Sequence, residues 1–120
     1  MKPQHRSLLT VAALVLVVSA ATQWWAGQQE RAMGAQVAAL AQPGDIRMLA
    51  SETCSICAAA RAWFTENRIP FSECLIERDA ACKATFEAAQ APGTPLMVVR
   101  GKLLLGFNPE RLREALRPAG

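Results

Sequence analysis

The sequence predicts a small α/β domain set behind a hydrophobic N-terminal helix. Three observations carry that prediction. An almost unbroken apolar run occupies residues 8–21, near the start of a 120-residue chain. From residue 45 onward, short β-like runs and stretches of helical period alternate as β-α-β-α-β-β-α over about 75 residues. Gly and Pro fall between these segments, at Pro43-Gly44, Pro92-Gly93, Gly101 and Gly106, where the chain must turn.

The N-terminal segment is read as residues 1–26. Met1 to Ser7 is short and basic, and Leu8 to Ala21 follows as the apolar run, which is the layout of an export signal. Val18-Ser19-Ala20 offers small residues where a signal peptidase would cut. Trp24-Trp25 extends the run to about 19 residues, the length of a bilayer span with an interfacial aromatic end. A cleaved signal peptide and an uncleaved anchor in an inner membrane both fit. In either case the basic residues ahead of the run keep the N-terminus in the cytoplasm and place the domain outside it. The expected address is extracytoplasmic, a bacterial periplasm. Residues 27–44, Gln- and Ala-rich, read as a juxtamembrane spacer, helical if Val37, Leu40 and Ala41 form their weak stripe, and ended by Pro43-Gly44.

The domain is expected over residues 45–118. Asp45 to Ala50 reads as a strand. Ser55 to Asn67 reads as a helix, because Ile56, Ala59, Ala60, Trp63 and Phe64 recur on one face. Pro70 to Glu77 reads as a second strand, and Asp79 as the cap of a helix running to about Gln90. Leu96 to Arg100 and Leu103 to Leu105 form a hairpin turning at Gly101-Lys102. Asn108 and Pro109 are an N-cap and first-turn pair for a last helix that buries Leu112, Ala115 and Leu116.

Composition excludes several functions. Apolar residues reach 52 %, but the N-terminal segment inflates that figure. From Gly44 onward ten basic residues face nine acidic ones, so the domain is nearly neutral and offers nucleic acid no basic surface. His5 is the sole histidine, which rules out His-based triads and His-rich metal sites within the domain. The chemistry that remains is sulfur chemistry. Cys54-Ser55-Ile56-Cys57 opens the first helix of the domain. Two cysteines three apart at a helix start approach closely enough to pass between dithiol and disulfide. The unpaired N–H groups and partial positive charge of a helix N-terminus favour thiolate, the attacking species in disulfide exchange.

A Cys-x-x-Cys after the first strand, Thr94-Pro95 before the third, and a hairpin ending at Gly106 together resemble the glutaredoxins and the wider thioredoxin-like group. The resemblance spans roughly Ile46 to Leu116. It implies a thioredoxin-like fold of glutaredoxin type, with a four-stranded mixed sheet flanked by helices. It implies a thiol-disulfide oxidoreductase in which Cys54 is the exposed nucleophile and Cys57 the resolving thiol. It further implies that Pro95 is cis and that the Thr94 backbone pairs with the substrate beside the sulfurs. The sequence departs from glutaredoxins at three places. Ser55-Ile56 stands for the usual Pro-Tyr, Ser51-Glu52-Thr53 lacks the usual basic residue, and Gly106-Phe107-Asn108 replaces the Gly-Gly turn and acidic residue that hold glutathione. The expectation is therefore a protein or peptide thiol as substrate, a separate redox-recycling partner, and no cofactor, with glutathione lacking its usual contacts. Arg61 is read as a solvated residue, Trp63 and Phe64 as core, and Phe107 as either an edge of the site or packing.

Cys74 and Cys82 remain. In an oxidising compartment an even cysteine count invites a structural disulfide between them, worth roughly 2–3 kcal/mol in the chain-entropy picture. Two buried thiols, or a relay to Cys54 and Cys57, are the alternatives. The competing functional classes are a soft-metal or iron–sulfur protein using the four cysteines, and a redox-inactive adaptor that binds peptides in the same fold. Structural zinc usually repeats a short pair, and the spacing from Cys74 to Cys82 is too long for that, so no metal site is expected.

Overall fold

The computed structural model describes residues 3–118, so Met1 and Lys2 of the basic leader lie outside the described residues. The elements run α1 (Pro3–Leu40), β1 (Ile46–Ala50), α2 (Ser55–Glu66), β2 (Ser72–Leu75), α3 (Ala80–Ala88), β3 (Leu96–Val99), β4 (Lys102–Leu105) and α4 (Pro109–Leu116). The chain divides into two compact units, the first ending at Ala32 and the second beginning at Met33.

In the first unit, residues 8–26 of α1 are largely apolar on every side and exposed. Leu8, Leu14, Leu16 and Val17 bury nothing, and Trp24 is 70 % exposed. The stretch from Leu8 to Ala26 is about 28 Å long at 1.5 Å per residue, close to the thickness of a bilayer's hydrocarbon core. By length and composition this helix can cross a membrane. Two of its hydroxyls bond back to the helix: that of Thr10 donates to the Ser7 carbonyl at 2.8 Å, and that of Thr22 to Val18 at 2.6 Å. This suits a surrounding that supplies no hydrogen bonds.

In the second unit the sheet has the order β2-β1-β3-β4. β1 and β2 are parallel, while β1–β3 and β3–β4 are antiparallel. The parallel pair requires a crossover, and α2 supplies it. Alternation along the strands gives the sheet two faces. Ile46, Met48, Met97 and Val99 face one layer, with Cys57, Ala60 and Phe64 of α2 and Leu112, Ala115 and Leu116 of α4. Leu49 and Leu96 face a smaller layer, under Cys82 of α3.

Three details differ from the sequence reading. The segment read as spacer is helical to Leu40, and it buries Val37 and Ala41 in the larger core. Gly34 lies against Asn67 so closely that a Cβ there would meet the Asn67 side chain, which is why the last turns of α1 can seat on the end of α2. β2 is only four residues long, because Pro70, Phe71, Ile76 and Glu77 fall outside the ladder. The hairpin turns at Arg100-Gly101, both at positive φ (49° and 81°), the backbone of a two-residue type I′ turn.

Candidate active site

β1 delivers the chain to the site at Ala50. Ser51 to Thr53 make the bend, and Cys54 (φ −100°, ψ 107°) caps α2. The cap is made by sulfur: the Cys57 N–H donates to the Cys54 Sγ at 3.0 Å. Cys54 is half-buried and Cys57 fully buried. Their sulfurs are bonded, with Cα atoms 5.2 Å apart. The peptide bond between Thr94 and Pro95 is cis. The Thr94 carbonyl oxygen lies 3.5 Å from the Cys54 Sγ. Pro95 is held from the other side, since its carbonyl accepts from the Gly106 N–H at 2.9 Å, with Gly106 at φ 78°. The hairpin end thus fixes the Thr94-Pro95 segment against the sulfurs.

The bend before Cys54 is fastened by the turn after β2. Glu77 accepts from the Ser51 hydroxyl and, at 3.3 Å, from the Glu52 N–H. Arg78 pairs with the Glu52 carboxylate. The Ser51 hydroxyl, ahead of the backbone donors, holds the Glu77 carboxyl below its ordinary range. The acidic pair Glu52 and Glu77 stands where sequence reasoning found no basic residue. Their mutual arrangement is a contact between segments 25 residues apart, and nothing local in the sequence signals it.

Ile56 is 53 % exposed beside the sulfurs, at the open end of the apolar stripe of α2. Arg61 corrects the sequence reading: it is not free in solvent but forms a two-point ion pair with Glu73 of β2, which lifts its guanidinium still further above its ordinary value. Phe107 packs on Trp63 and Phe64, with ring centroids 5.4 and 5.8 Å away, so its packing role prevails. Asn108 Oδ1 accepts from the N–H groups of Glu110 and Arg111 at 3.0 and 3.3 Å. The start of α4 therefore already has its acceptor, and Asn108 is committed to the cap.

Cys74 and Cys82 are bonded, with Cα atoms 6.1 Å apart. They belong to the smaller layer of the sheet, whereas Cys54 and Cys57 belong to the larger one. The sheet separates the two pairs, so neither a four-cysteine metal site nor a direct relay between the bridges is formed. No group of three or more His, Cys, Asp or Glu side chains among the described residues is placed to hold a metal ion.

No family model matches this chain, and no curated protein does. Solved structures do. A mutant form of a thioredoxin-like protein is 24 % identical, with a TM-score of 0.54 over 61 % of this chain and 95 % of that one. A glutaredoxin from Methanosarcina mazei Go1 is 20 % identical, with a TM-score of 0.51 over 61 % of this chain and 78 % of its own. The methanoredoxin of Methanosarcina acetivorans is 19 % identical, also at 0.51, over 63 % of this chain and 87 % of its own. The second unit of this chain has the thioredoxin-like fold in its glutaredoxin-like form, with Cys54 and Cys57 at the start of α2.

Proposed function

We propose that this protein is an extracytoplasmic thiol-disulfide oxidoreductase that exchanges disulfides with protein or peptide substrates through Cys54 and Cys57. One observation carries the reading: a half-buried sulfur at a helix N-terminus is bridged to a buried one and lies 3.5 Å from the carbonyl ahead of a cis proline. In the reducing direction, Cys54 thiolate attacks a substrate sulfur and the substrate disulfide breaks, its other sulfur leaving as thiolate. Cys57 thiolate then attacks Cys54, closing the bridge and releasing the substrate thiol. In the oxidising direction the same steps run backward. The Cys57 N–H and the first turn of α2 favour negative charge on the Cys54 sulfur, and this assists both attack and departure.

Thr94 and Pro95 would hold the substrate. The Thr94 carbonyl faces the sulfurs, and an extended substrate backbone can donate an N–H to it. Exposed Ile56 gives that chain an apolar neighbour. Glutathione does not suit these residues: Glu52, with Glu77 held against it, occupies the bend before Cys54 where a cation would be wanted, Phe107 is packed, and Asn108 caps α4. The exposed apolar helix supports membrane anchoring or export, and Arg6 ahead of it supports placement of the domain outside the cytoplasm. A separate dithiol or disulfide protein would recycle the bridge.

The test is direct. With Cys74 and Cys82 both replaced by Ala, Cys54→Ser should abolish exchange with a peptide disulfide. Cys57→Ser should accumulate a mixed disulfide on Cys54, visible as a mass increment lost on reduction. Turnover retained by Cys54→Ser in that background would reject the proposal.

A further inference from the structure

The Cys74–Cys82 bridge has features a purely structural staple does not need. β2 is an edge strand, and Cys74 sits on it half-buried, whereas Cys82 is fully buried beneath α3. Arg47 of β1 directs its Nη2 at the Cys74 Sγ from 3.5 Å. Arg61, Arg78, Arg100 and Arg113 each pair with a carboxylate. Arg47, like Arg68, Arg111 and Arg117, makes no ion pair among the described residues, and the contact of its guanidinium is with the Cys74 sulfur. The other end of the bridge is electrostatically opposite. The Asp79 carboxylate caps α3 and accepts from the Cys82 N–H at 3.0 Å, so a negative group already occupies the first turn of that helix. Charge released by opening the bridge is therefore favoured on Cys74, beside the guanidinium, and disfavoured on Cys82.

The geometry points to Cys74–Cys82 as a second disulfide-exchange site, independent of Cys54–Cys57, with Cys74 the exchanging sulfur and Cys82 the resolving one. Its reactant is a dithiol. One thiolate of the dithiol attacks Cys74 Sγ; the bond to Cys82 breaks, and the Cys82 sulfur leaves with the electron pair and takes the proton of the dithiol's second thiol, so that no charge stays on the buried sulfur. The second thiolate of the same dithiol then attacks the dithiol sulfur joined to Cys74. The dithiol closes to its own disulfide, and Cys74 leaves as a thiolate facing Arg47. Two electrons pass from the dithiol to the bridge. In reverse, Cys74 thiolate attacks an oxidised partner and Cys82 closes the bridge. Because the two bridges lie on opposite faces of the sheet, both directions need an external partner rather than Cys54.

The experiment uses the full chain in detergent, without denaturant. It is incubated with graded dithiothreitol, quenched with iodoacetamide, and each cysteine is read by peptide mass mapping while circular dichroism monitors the fold. The expected result is labelling of Cys74 and Cys82 in the folded chain, with Cys74 labelled faster. In Arg47→Gln, labelling of Cys74 near neutral pH should fall several-fold, with labelling of Cys54 unchanged. If Cys74 and Cys82 take label only after denaturant is added, or if Arg47→Gln labels Cys74 as fast as the unaltered chain, the bridge is a staple and the inference fails.

Discussion

Arg61 sits one helical turn beyond Cys57, where a free guanidinium would raise the positive potential around both sulfurs. Its charge is committed elsewhere. The Glu73 carboxylate, only 19 % exposed against 43 % for Arg61, holds it by two hydrogen bonds across the α2–β2 contact. A neutralised pair contributes little potential at the sulfurs, so its role is to fasten the helix to the sheet. Arg61→Met should then cost about 1 kcal/mol, the scale of a partly exposed ion pair, because Glu73 is left without its cation. The rate at which Cys54 is alkylated in the reduced protein should stay within about twofold, far below the tenfold that 1.4 kcal/mol at the sulfur would produce. Chemical unfolding and timed alkylation read the two quantities separately. A large fall in alkylation with unchanged stability would show that Arg61 acts on the sulfurs after all.

At the scale of elements, the last turns of α1 are the main revision. Val37 is fully buried among Ile46, Phe64, Leu112 and Leu116, so the helix past Met33 is part of the domain's core rather than a tether. Val37→Ala removes two buried methyl groups, and transfer plus cavity terms put the loss at about 2–3 kcal/mol. Ala39→Ser, one turn face away and exposed, should cost less than about 0.5 kcal/mol. Denaturant melts of the two variants compare the faces; equal, small effects would return the segment to the role of spacer. The contrast explains what the sequence did and did not disclose. α2 and α4 were legible because Cys54, Asn108 and Pro109 mark their starts and their apolar residues repeat at helical spacing. The hairpin was legible because Gly101 divides two apolar runs. Val37 and Ala41 stood only in a weak stripe with Leu40, and so few apolar residues in an Ala- and Gln-rich stretch do not disclose a buried face. Their burial comes from tertiary docking. Likewise the grip of Glu77 on Ser51, and that of Glu73 on Arg61, joins segments distant in the chain, where local pattern is silent. Around the candidate site, the cysteines and Thr94-Pro95 could be read from the sequence, while the acidic residues that fasten the bend before Cys54 could not.

At the scale of the whole molecule, Arg100 gathers three distant segments. Its guanidinium donates to the Leu116 carbonyl at 2.6 Å, to the Leu40 carbonyl at 3.2 Å and to the Asp45 carboxylate at 3.0 Å. It thus closes the carbonyl ends of α1 and α4 over the start of β1, the service a helix C-terminus needs from a cation. The hydrogen bond from Arg100, then that from the Gln42 N–H, holds the Asp45 carboxyl below its ordinary range. Glu77, at the opposite end of β1, is lowered by Ser51 in the same sense. A carboxyl whose folded pKa lies below its unfolded one contributes stability that is fully present above the unfolded value. That contribution is lost as pH falls through the folded value. Both ends of β1 should therefore loosen together on acidification below about pH 4.5, with little change between there and neutrality. Thermal unfolding followed across that range should show a falling acid limb. Asp45→Asn and Glu77→Gln should each lower stability at neutral pH and flatten the limb, and the double variant should flatten it further, since the two sites share no partner. Arg100→Met should lower stability at every pH, because it also frees the Leu40 and Leu116 carbonyls, which do not titrate. An acid limb equally steep in the double variant would place the pH dependence in other carboxylates, and would leave the pairing at the two ends of β1 without thermodynamic weight.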